Sequence, residues 1–177
     1  MTGVAPLRAI TLAVHPSTHG FGWAAFTGPF SPYDWGSVSA KGAGKNERCL
    51  RKIEKLLDRL TPQALVLEAF EPSASSRRTR VARLGRAVVA LANAKGVDVA
   101  VYSFKDVRGC FAHMGATTRC EIAETIGRQF AAFGHLVPRR RRAWDPEHWR
   151  TSLFSAVALV LTHYQRDAGN LLSHLSA

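Results

Sequence analysis

Acidic side chains are scarce in this chain: 13 aspartates and glutamates stand against 24 lysines and arginines in 177 residues, a formal net charge of +11. That balance disfavours a cationic partner and points to a polyanionic one. Cysteine is rarer still. Cys49, Cys110 and Cys120 are too few and too unevenly spaced for a disulfide framework, and no C-x-x-C pair suggests a zinc site, so all three are expected as buried thiols. No apolar run approaches the roughly 20 residues of a membrane span. Residues 1–8 lack the basic start and apolar stretch of a secretory signal, so the chain reads as a cytoplasmic protein without a membrane partner. There is no internal repeat, and the one low-complexity piece is the basic run Arg139 to Arg142.

What the chain does have is 46% hydrophobic residues, enough for the core of one domain spanning 1–177. Its positive charge is mostly arginine, clustered rather than interspersed. The planar guanidinium fork suits bidentate phosphate contacts, so nucleic acid outranks an acidic protein or a membrane surface. A merely solubilising basic face would intersperse its charges.

Leu7 to Val14 is apolar and β-prone, Gly22 to Phe26 follows after a small polar turn, and Tyr33 to Val38 reads as a third strand, giving an antiparallel meander. Asn46 is positioned to cap a helix with Leu50, Ile53, Leu57 and Leu60 on one face, ended by Pro62. Ala64 to Leu67 is a short continuous apolar run ending in Glu68, as expected of a buried central strand. A helix over about 77–94 follows, then a strand over Val97 to Tyr102 and the segment SFKDVRGCF as a loop. Thr118 and Glu121 form a capping box for a further helix. Asp145-Pro146 reads as the start of a last helix running to about Tyr164. The order β-β-β-α-β-α-β-α-α predicts an α/β fold, a mixed five-stranded sheet with helices on both faces.

In VHPSTHGFGWAAF, LVLEAF, SFKDVRGCF and the late AVALVLTH, the chain resembles the RuvC-like Holliday junction resolvases of the RNase H-like superfamily, from about Leu7 to about Tyr164. The resemblance implies a metal-dependent endodeoxyribonuclease: four carboxylates around two magnesium ions, acting as a homodimer on four-way DNA. Carried over residue by residue, the first carboxylate position is His15, the second is Glu68, and the pair on the last helix is Ser152 and Ser155. Only Glu68 remains an acid. Glu71 and Glu147 are the nearby acids that stand as candidate replacements for the lost ligands, while Asp145 reads as a helix cap.

The expectation is therefore a DNA-binding protein with a degenerated metal site and weak or no nuclease activity, needing no cofactor. Two alternatives stand beside it. One is an active, divergent junction endonuclease using Mg or Mn; the other is a non-catalytic subunit of a larger assembly. The phosphate-binding candidates are Arg77, Arg78, Arg80, Arg83 and Arg86 on the second helix, Lys105 and Arg108 after the fifth strand, and Arg139, Arg140, Arg141 and Arg142 before the last helix. Trp23, Trp35 and Trp144 read as core residues, and Phe70 as an aromatic beside the site, able to stack on a base.

Overall fold

The computed structural model describes residues 9–70, 76–140 and 148–175, with side chains described for 9–70, 78–140 and 148–170. Five strands, β1 (Thr11–Ser17), β2 (Gly20–Phe26), β3 (Pro32–Ser39), β4 (Ala64–Glu68) and β5 (Asp98–Tyr102), form one sheet in the order β3-β2-β1-β4-β5. β1, β2 and β3 are antiparallel, whereas β4 lies parallel to β1 and β5 parallel to β4. The mixed five-stranded sheet is the one expected.

Alternation along β1 and β4 divides the core. Leu12, Val14, Leu65 and Leu67 face α1 (Lys45–Leu60) and α2 (Ser76–Ala94), while Ala13 and Val66 face the opposite layer. That layer consists of α3 (Phe104–Phe111), α4 (Arg119–Gln129), the short α5 (Ala131–Gly134) and α6 (Arg150–Leu175). Continuing the alternation puts His15 and Glu68 on the α6 side, at the carboxyl ends of two neighbouring parallel strands. Open α/β sheets bind their ligands in this crevice.

Gly22 decides how close α6 comes. It pairs with His15 across the β1–β2 ladder, and a Cβ at this position would stand 2.2 Å from the Ser152 carbonyl carbon. Any larger residue would push the first turn of α6 off the sheet. The glycine thus sets Ser152 and Ser155 beside the strand ends.

Several expectations need correction. α1 is preceded by Gly44 in the left-handed conformation, not capped by Asn46, whose side chain is drawn away to the Arg80 carbonyl at 3.1 Å. SFKDVRGCF is largely the helix α3, opened by a capping box in which Ser103 and Asp106 exchange hydrogen bonds. α6 begins at Arg150 rather than at Asp145-Pro146 and runs past Tyr164 to Leu175. His148 therefore precedes the helix. Cys49 and Cys110 are buried as expected, but Cys120 is partly exposed. No described helix is long and apolar enough to cross a membrane.

Candidate functional site

At the strand ends His15 Nε2 lies 3.2 Å from Glu68 Oε2, and both side chains are largely buried. The dominant partner of Glu68, however, is Arg119, in the first turn of α4. Its Nη2 donates to Glu68 Oε1 at 2.6 Å and its Nη1 to Oε2 at 3.1 Å, a fork-to-fork pair. Nη1 also donates to Ser155 Oγ at 3.1 Å, and the guanidinium carbon sits 4.2 Å from the centre of the Phe104 ring. Four elements thus converge on one carboxylate. Burial alone would raise the Glu68 pKa, but hydrogen bonds and charge from His15 and Arg119 reverse that and hold it down at about 2. The group is an anion throughout the physiological range.

The site residues expected from the sequence are only partly brought together. His15, Glu68 and Ser155 meet. Ser152 lies in the same first turn of α6, but its hydroxyl donates to the Trp149 carbonyl at 3.0 Å and lines a different cavity, with Ser17, Ser37 and Trp149. Glu71, Glu147, Asp145, Trp144, Arg141 and Arg142 lie outside the described residues, as does the side chain of Arg77.

A hard cation wants several anionic oxygens. Among the described residues the one carboxylate here has both oxygens engaged by a guanidinium, beside an imidazole and a hydroxyl. Among the described residues no group of three or more histidine, cysteine, aspartate or glutamate side chains converges as a metal site. The described residues do not fit magnesium.

Above this cluster opens a cavity of about 370 Å³ whose walls include His15, Thr18, Phe70, Arg78 and Arg119. A second, of about 380 Å³, lies on the other side of Arg119 and takes in Arg139, Arg140 and His148. Of the expected phosphate binders, Arg78, Arg83 and Arg86 are exposed on α2, Lys105 and Arg108 on α3, and Arg139 after α5. Arg140 is exposed but donates to Glu124 from two nitrogens at 2.7 and 2.9 Å. Arg80 has another task. It donates to the Thr18 carbonyl at 3.0 Å and to Asn46 Oδ1 at 3.2 Å, and Lys45 donates to the same carbonyl. The β1–β2 turn is thereby tied to α1 and α2. Phe70 is folded inward: a Cβ on Gly85 would fall 1.9 Å from its ring, so the missing side chain of α2 makes room for the aromatic.

Arg119 is the residue that sequence reasoning missed. One signal was present. A cation in the first turn of a helix opposes the helix dipole, so Arg119 needed a compensating anion from elsewhere in the fold.

No protein-family model matches the sequence. No curated protein matches it either. Solved structures do match in three dimensions. Thermus thermophilus RuvC in complex with a Holliday junction substrate superposes with a TM-score of 0.64 at 18% identity, covering 91% of this chain and 96% of that one. The yeast mitochondrial Holliday junction resolvase gives 0.59 at 11% identity, over 93% of this chain and 83% of its own. The fowlpox virus Holliday junction resolvase gives 0.54 at 10%, over 89% and 98%. The chain has the RuvC-like, RNase H-like fold over nearly its whole length.

Proposed function

We propose that this protein binds branched or duplex DNA with the RuvC-like fold and cuts it weakly or not at all. The observation that carries this reading is the state of Glu68: the carboxylate at the strand ends is gripped by Arg119 at 2.6 and 3.1 Å, so it has no free oxygen edge for a catalytic ion. DNA as the ligand is supported by the fold, one example of which holds a Holliday junction substrate, by the exposed Arg78 in the wall of the cavity over the cluster, and by Arg83 and Arg86 exposed on the same helix. Each arginine that neutralises a phosphate releases counterions, which makes binding favourable and steeply salt-dependent. A homodimer would present two such faces to the arms of a four-way junction.

The test is binding of a four-way junction and a matched linear duplex over a salt series, with cleavage followed in magnesium and in manganese. The expected result is salt-sensitive binding with little or no cutting in either ion. Robust cutting that Glu68→Ala abolishes would establish an active endonuclease instead, and absence of binding at low salt would favour a subunit that contacts only protein.

A further inference from the structure

The mismatch between the site and a divalent cation has a constructive side, because the cluster already contains a cation of its own. A guanidinium has five N–H donors. Glu68 takes two of Arg119's and Ser155 takes one, which leaves two without a partner among the described residues. The side chain is 35% exposed and stands between the two cavities, forming part of the wall of each. In the 370 Å³ cavity it is accompanied by the exposed Arg78 and by His15, whose buried Nδ1 has no hydrogen-bond partner among the described residues. The strand-end crevice thus holds unmet hydrogen-bonding capacity next to a fixed positive charge.

We infer that Arg119 takes over the electrostatic work of a divalent ion here, neutralising Glu68 with one edge and holding a phosphodiester oxygen with the donors that remain. Phe104 stacks under the guanidinium and the Glu68 fork fixes its plane, so the spare donors are held in place before any ligand arrives. DNA would then be bound at the strand ends without a metal. This rests on the DNA-binding reading, and it predicts that Glu68 restrains the affinity, since it competes with phosphate for the same guanidinium.

The experiment uses the full chain and a fluorescent four-way junction, with anisotropy read over a salt series in EDTA and in magnesium at matched ionic strength. Parental affinity should be the same in both. Glu68→Gln should bind several-fold tighter, because the cation is released to the phosphate. The paired variant Glu68→Gln/Arg119→Gln replaces a neutral ion pair by a neutral amide pair, so the fold has no buried charge left unmatched. It should bind roughly tenfold more weakly than Glu68→Gln, with a salt slope about one unit shallower. Equal affinity and slope for those two variants would overturn the inference, as would parental binding that requires a divalent ion. A parent that binds no DNA at low salt would instead refute the DNA-binding reading itself.

Discussion

Replacing Glu68 by glutamine should remove a pH-dependent share of the protein's stability whose size follows from the site. The carboxyl falls from an ordinary 4.5 to about 2 in the folded state. At 1.36 kcal/mol per unit this amounts to about 3 kcal/mol. Little discount for solvent is needed, because the side chain is only 16% exposed. The sign follows from the direction: a depressed folded pKa stabilises above the unfolded value, and that stability drains away as pH falls from about 4.5 toward 2. By pH 3 about half should remain.

The measurement is urea unfolding of the parent and Glu68→Gln at pH 7, 5, 4 and 3. The difference between the two proteins isolates this group, because Asp106, Glu121 and Glu124 are also held below their ordinary values and titrate in both. The difference should be flat from pH 7 to 5, near 3 kcal/mol, and roughly halved at pH 3. Near neutral pH it corresponds to a melting shift of about 6–12 °C in a chain of this size. Two lines that stay parallel from pH 7 to 3 would show that Arg119 and His15 do not hold Glu68 as described.

Three other outcomes are expected. Arg78→Ala/Arg83→Ala/Arg86→Ala should bind junction DNA more weakly, with a salt slope reduced by up to about three units; an unchanged slope would remove α2 from the interface. Arg80→Ala should instead lower thermal stability without DNA present, by about 1–3 kcal/mol, because the Thr18 carbonyl is left with Lys45 alone and Asn46 Oδ1 loses its donor. Gly22→Ala should cost about 1–3 kcal/mol in chemical denaturation through the forced clash with the α6 backbone; parental stability would mean that α6 moves aside at little cost.

The sheet was legible because its signals are local. The apolar run before Glu68 could only be a buried strand, and β2 carries a hydrophobic run between small turn residues. α3 was obscured although its apolar residues Phe104, Val107, Cys110 and Phe111 recur at helical spacing and all pack inward. The helix is eight residues long, contains Gly109, and opens with aspartate where a capping box usually has glutamate or glutamine. Asp145-Pro146 misled in the opposite way. The pair has the chemistry of a helix start, but α6 begins at Arg150, and a cap signal does not fix how far downstream the helix starts.

For the site, the family resemblance named His15, Glu68 and Ser155, and the fold brings all three together at the strand ends. What no local pattern contains is charge cancellation between residues 51 apart in sequence. Thr118 and Glu121 form their capping box whatever the two residues between them are, so Arg119 passes as filler until α4 is laid across the strand ends. Its effect there is large. A cluster of several carboxylates would repel a phosphate unless cations intervened, whereas one carboxylate facing one guanidinium sums to zero before His15 is counted. On the proposed reading, such a neutral centre with the exposed Arg78 of α2 beside it lets a polyanion approach the strand ends directly. On the same reading, the arginine that occupies both oxygens of Glu68 also removes the need for a metal in binding DNA.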